Sequence, residues 1–182
     1  MAQQKSDKRA KAALAAEPIE RHTIAVLVDN EPGVLARVIG LFSGRGYNIE
    51  SLTVAQVEAA GNLSRITIVT SGTSMVVEQI KAQLGRLVPV HEVHDLTTQG
   101  AHIERDLALI RVINAGDKRI EALRIADVFR ARAVDATVRS FVFEMTDSTD
   151  NIDRFVALMR ELGKIEVVRS GVVAIAYGDG KN

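Results

Sequence analysis

Apolar positions change period as the chain runs. Thr23 to Val28 ("TIAVLV") is a short apolar run, as a buried strand requires. The turn "DNEPGV" (Asp29 to Val34) follows it. Val34, Leu35, Val38, Leu41 and Phe42 then recur at helical spacing, with Gly44 and Gly46 placed to end that helix. "YNIESLTVAQV" (Tyr47 to Val57) reads as a strand and "EAAGN" (Glu58 to Asn62) as a hairpin turn. "LSRITIVTS" (Leu63 to Ser71) sets Leu63, Arg65, Thr67 and Val69 against Ser64, Ile66, Ile68 and Thr70, and reads as the partner strand. Val77, Ile80, Leu84 and Leu87 mark a second helix. "VPVHEVHDL" (Val88 to Leu96) reads as a fourth strand, which Pro89 makes start late or lie at an edge.

This order is βαββαβ over about 75 residues, the split βαβ or ferredoxin-like pattern. It then repeats. "LALIRVIN" (Leu107 to Asn114) reads as a strand, and Ala122, Ile125, Ala126 and Phe129 as a helix. "AVDATV" (Ala133 to Val138) and "SFVFEMT" (Ser140 to Thr146) read as strands. Ile152, Phe155, Val156 and Met159 give a further helix, with Asp150 as its cap and Asp153 as a first-turn acid. "IEVVRSGVVAIAY" (Ile165 to Tyr177) is a final strand or hairpin. The copies are offset by about 85 residues. The expected fold class is therefore α+β, two ferredoxin-like modules at 21–97 and 105–178. A linker at 98–104 joins them, and residues 1–20 form a disordered or frayed tail.

Composition narrows the function. Lys plus Arg equals Asp plus Glu at 23 each, so nothing favours a nucleic-acid partner. Aromatics are too few for base-stacking sheets, although Phe141 and Phe143 fall on one face. There is no cysteine, which removes disulfides, thiolate nucleophiles and sulfur zinc sites. No apolar run reaches membrane-spanning length, and the first 20 residues lack the apolar block of a signal peptide. The expected location is the cytoplasm. The four histidines read as ordinary surface residues, since His91 and His94 point to opposite faces of a strand. "GRGYN" (Gly44 to Asn48) follows a helix, where a phosphate cradle would precede one. No cofactor or metal site is expected in this chain.

"DNEPGV" has two readings. Asn, Pro and Gly are ordinary at a helix start, with Asn30 as cap and Pro32 in the first turn. A helix start also presents unpaired N–H groups, and glycine lets a ligand carboxylate approach those near Gly33 and Val34. The Asn30 side-chain oxygen could accept from a ligand ammonium.

"VLVDNEPGVLARVIGLFSGRGYNIESLTV" (Val26 to Val54) resembles ACT domains, the small-molecule sensing modules of amino-acid metabolism. With "LSRITIV", "QLGRLVPVHEVHDL", "ERDLALIRV", "FRARAVDAT" and "VVRSGVVAIAYG", residues 21–178 resemble small regulatory subunits of acetolactate synthase. The resemblance implies a non-catalytic chain that pairs through its ACT domains and binds a large catalytic subunit. That subunit would carry thiamine diphosphate, Mg²⁺ and FAD and condense 2-oxoacids. The small subunit would raise its activity and confer feedback inhibition by a branched-chain amino acid, chiefly valine. The resemblance also implies an effector site of Asn30, Gly33 and Val34 in the loop, with Asn48 reaching in from the paired chain. Leu35 or Ile49 would meet the effector's isopropyl group. Pro89 and the terminal "AIAYGDGKN" depart from the family pattern. The other reading is a free-standing amino-acid sensor acting on transcription or another pathway enzyme, although no helix-turn-helix pattern accompanies it.

Overall fold

The computed structural model describes residues 18–178 except 59 and 61. Most of the tail expected at 1–20 thus lies outside the described residues. In the first module, β1 (Glu20–Asp29) leads to α1 (Val34–Arg45), β2 (Ser51–Glu58), β3 (Leu63–Gly72), α2 (Ser74–Leu84) and β4 (Val90–Asp95). The sheet order is β2-β3-β1-β4 and every pair is antiparallel. Alternate residues of β1, namely Ile24, Val26 and Val28, are buried against Val38 and Phe42 of α1 and Ile80 and Leu84 of α2. Val34, Val38 and Phe42 repeat every four residues, and this stripe seats α1 on the sheet. Gly46 ends α1 at φ 72, and its N–H reaches Phe42 and Ser43 carbonyls. α2 stops at Leu84, and Leu87 packs on the core from the turn beyond. Pro89 precedes β4, which starts late and lies at an edge, as both sequence alternatives required.

A one-turn α3 (Leu96–Gln99) leads into the second module. Its elements are β5 (His102–Ile113), α4 (Asp117–Val128), β6 (Arg132–Ala136), β7 (Ser140–Asp147), α5 (Thr149–Leu162), β8 (Lys164–Arg169) and β9 (Val173–Ala176). The order β6-β7-β5-β8 repeats that of the first sheet. Two ferredoxin-like modules are thus present, as the period changes indicated. Phe143 and Phe155 are fully buried and meet edge-to-face at 5.9 Å. Phe141 is 6% exposed, so neither β7 phenylalanine offers a stacking surface.

Two expectations need correction, the start of β5 and the cap of α5, and two further features are settled. β5 begins at His102, not Leu107, because His102 to Arg105 pair with β9 and the polar Glu104 among them accepts from Arg21 and Thr23 of the first module. Of the two alternatives for the last segment the strand holds and the hairpin does not: β8 and β9 both pair antiparallel with β5 and form one strand broken at residues 170–172. Ser148, not Asp150, caps α5, accepting from the Asn151 N–H, while Asp150 is the first-turn acid. β3 is buried on both faces, with Thr67 4% and Val69 1% exposed beside Ile66 and Ile68. The strand pair β5–β9 lies on the helix-free face of the first sheet, where the Arg65 guanidinium donates to the Ala174 carbonyl at 3.0 Å.

Candidate functional site

The β1–α1 turn is held at its base. Asp29 N–H donates to the Pro89 carbonyl at 2.9 Å, and Asn30 N–H to the Asn62 carbonyl at 2.7 Å. Gly33 is the N-cap residue at φ 87, a left-handed conformation that disfavours any side chain. No side chain caps α1, and a Cβ built on Gly33 would meet nothing within 4 Å. Asn30 is therefore exposed and is not the cap expected of it. Pro32 precedes the N-cap instead of occupying the first turn. By contrast α2, α3 and α5 each begin with a side chain accepting from a first-turn N–H. An uncapped helix start leaves N–H groups and a partial positive charge facing outward. The second module repeats this at α4, where Gly116 is the N-cap at φ 59 with no side-chain cap.

The other site residues divide. Val34 is 4% exposed and its side chain belongs to the core, so only its backbone faces the turn. Leu35 is 37% exposed on the outer side of α1, and Ile39 one turn further on is 38% exposed. Asn48 is exposed, while Ile49 packs on the core. Asn48 stands before β2, not on its first residue, because the strand begins at Ser51. Thr70 Oγ1 donates to the Asn48 carbonyl at 2.6 Å and fixes that segment. Asn30 and Gly33 thus lie at one end of α1 and Asn48 at the other. Twelve helical residues span about 18 Å. One chain alone does not bring the two groups together.

A second polar centre lies where the modules meet, and the sequence reading missed it. His22 is 4% exposed, not a surface residue, and its Nδ1 lies 2.9 Å from Oδ2 of the fully buried Asp95. Asp95 also accepts from the Thr97 N–H, and Thr97 Oγ1 accepts from the Thr23 N–H. Thr23 Oγ1 and Arg21 both donate to Glu104. Burial pushes the Glu104 carboxyl up, but the Thr23 hydroxyl and the Arg21 guanidinium outweigh it and hold the group below its ordinary range. The spacing of Arg21, Thr23 and Glu104 carries no local signal, since the contacts span about eighty residues. Among the described residues no cluster of His, Cys, Asp or Glu could hold a metal ion, and no helix is long and apolar enough to cross a membrane.

The fold and the turn define a two-module protein whose first half is of the ACT type. Residues 24–92 match the AHAS small subunit-like ACT domain, and residues 105–178 match the family described as small subunit of acetolactate synthase. The chain is 48% identical over 161 residues to a probable acetolactate synthase small subunit of Archaeoglobus fulgidus, covering 88% of this chain and 99% of that one. It is 46% identical to the acetolactate synthase isozyme 3 small subunit of Escherichia coli, covering 87% and 97%. The crystal structure of the acetolactate synthase small subunit from Thermotoga maritima superposes with a TM-score of 0.78 at 34% identity, covering 88% of this chain and 99% of that one. The chain belongs to the family of acetolactate synthase small subunits.

Proposed function

We propose that this chain is the regulatory subunit of an acetolactate synthase, binding a branched-chain amino acid, chiefly valine, between two copies of its ACT module. The observation that carries the reading is the separation of the two half-sites at opposite ends of α1. β2 is an edge strand of its sheet. Because α1 crosses from β1 to β2, it lies over that side of the sheet. Its outer flank carries the exposed Leu35 and Ile39. A two-fold pairing of these edges runs the two α1 helices in opposite directions. Asn48 of the partner subunit then meets the Gly33 turn, and the arrangement repeats at the other end. The ligand carboxylate takes the uncapped N–H groups, and Asn30 and Asn48 take its ammonium or carboxylate edge. Leu35 flanks the isopropyl group. Ile49 supports the wall from the core side.

The subunit works on a large catalytic partner, which holds the thiamine diphosphate, Mg²⁺ and FAD and condenses two 2-oxoacids. Binding the partner raises its rate, and effector binding lowers it again by favouring a less active state. The reading is tested with hybrid dimers of Asn30→Ala and Asn48→Ala chains, isolated by two affinity tags. Each homodimer loses calorimetric valine binding. The hybrid keeps one intact site and regains binding at about half stoichiometry. A hybrid as inert as the homodimers would sink the two-chain site.

A further inference from the structure

We infer that the break at residues 170–172 is the contact through which the effector's presence reaches the second module; this rests on the effector reading above. Pairing with β5 runs Arg169 against Ala108 and then resumes with Val173 against Arg105. Ser170, Gly171 and Val172 therefore stand opposite only Asp106 and Leu107, which makes a bulge. Asp106, 3% exposed, holds its shape. Its carboxylate accepts from Arg169 Nε at 2.6 Å, the Gly171 N–H at 3.1 Å and Ser170 Oγ at 3.2 Å.

The bulge is pressed onto β2. Val172, itself 3% exposed, donates its N–H to Ser51 Oγ at 2.8 Å, and its carbonyl accepts from Thr53 Oγ1 at 2.8 Å. Both main-chain groups of one buried residue are thus satisfied by two side chains of the other module. Gly171 has φ 89, and a Cβ there would come within 2.9 Å of Thr53 Cγ2 and 3.0 Å of Ser51 Oγ. No side chain fits between the bulge and β2.

The position of this clamp gives it a role. Ser51 and Thr53 are alternate residues of β2, so both project from its helix-free face. Asn48 precedes Ser51 by three residues, and the Glu50 N–H donates to the Val69 carbonyl between them. β2 pairs only with β3 among the described residues. In the pairing proposed above its free edge meets the partner copy, so β2 takes up any shift that an effector held at Asn48 imposes on that seam. Beside the clamp lies a cavity of about 360 Å³, lined by Glu50, Leu52, Thr149 and Arg169 among others. The bulge therefore has room to shift on one flank, while Ser51 and Thr53 oblige it to follow β2. Two discrete arrangements of one contact are what coupling between modules requires.

The test separates binding from response. Gly171→Ala is the direct variant, but its added Cβ endangers the fold. Ser51→Ala/Thr53→Val keeps the volumes and removes both hydrogen bonds to Val172. Each variant is reconstituted with the catalytic subunit. The double variant should bind valine calorimetrically within about threefold of the parent and activate normally, while the activity that remains at saturating valine rises about threefold or more. An inhibition curve superimposing on the parent's overturns the proposal. Loss of valine binding also overturns it, because the hydroxyls would then belong to the site itself. If the parent chain binds no valine, the effector reading fails first and this proposal with it.

Discussion

Replacing Asp106 probes the bulge through stability alone. The carboxylate is almost wholly buried and accepts three hydrogen bonds, from Arg169, Ser170 and Gly171. Asp106→Asn preserves the shape but turns one acceptor into a donor. That donor faces either Arg169 Nε or the Gly171 N–H, so one bond is lost and two donors confront each other. A hydrogen bond to a charged group contributes about 1.5–3 kcal/mol. Arg169 keeps its second partner, Asp153 at 2.6 Å, and remains 30% exposed, which limits the cost of its lost bond. The expected loss is about 2–3 kcal/mol for Asn. For Ala it is about 3–5 kcal/mol, because Arg169 Nε, the part-buried Gly171 N–H and the Ser170 hydroxyl all lose this acceptor. At about 2–4 °C per kcal/mol for a chain of this size, Asn lowers the melting temperature by roughly 4–12 °C. Urea titration read by circular dichroism measures the loss directly, with m unchanged. An Asn variant within about 0.5 kcal/mol of the parent would refute the assignment of Asp106 as the organiser of the bulge.

Three other outcomes are expected. Because the folded Glu104 carboxyl lies below its ordinary value of 4.5, its contribution is present above that pH and is lost as pH falls through the lower folded value. Melting temperature between pH 6 and 3 should therefore fall more steeply for the parent than for Glu104→Gln, which starts lower; parallel curves would contradict this. Phe155→Ala, which removes a fully buried ring touching Phe129 at 5.4 Å and Phe143 at 5.9 Å, should cost about 3–5 kcal/mol by denaturant titration. Gly33→Ala meets open space but keeps φ 87, so its cost should be about 1–2 kcal/mol, from backbone strain; a stabilised variant would contradict that conformation.

What the sequence revealed and what it hid differ in range. Both βαββαβ orders were legible because each rests on local periods: Ile24, Val26 and Val28 on a strand, Val34, Val38 and Phe42 on a helix. The Gly33 turn was legible as a helix start, although not the identity of its cap. Asn30 looked like the cap by residue type, but the left-handed Gly33 starts the helix three residues later. His22 looked like a surface residue because nothing near it in sequence is Asp95, 73 positions away. The alternation of β3 marked it as a partnered strand, but a period of two cannot announce that a second module will cover the face away from the helices. The broken final strand is the clearest case. "IEVVRSGVVAIAY" reads locally as a strand or a hairpin, and nothing in it decides between them. Its glycine is needed because β2 leaves no space for a Cβ, and the Val172 main chain finds its partners in Ser51, 121 residues earlier, and Thr53, 119 earlier. Contacts of that reach carry no periodic signal. They are also the contacts that join two similar modules, since residues satisfied within their own module hold nothing of the other.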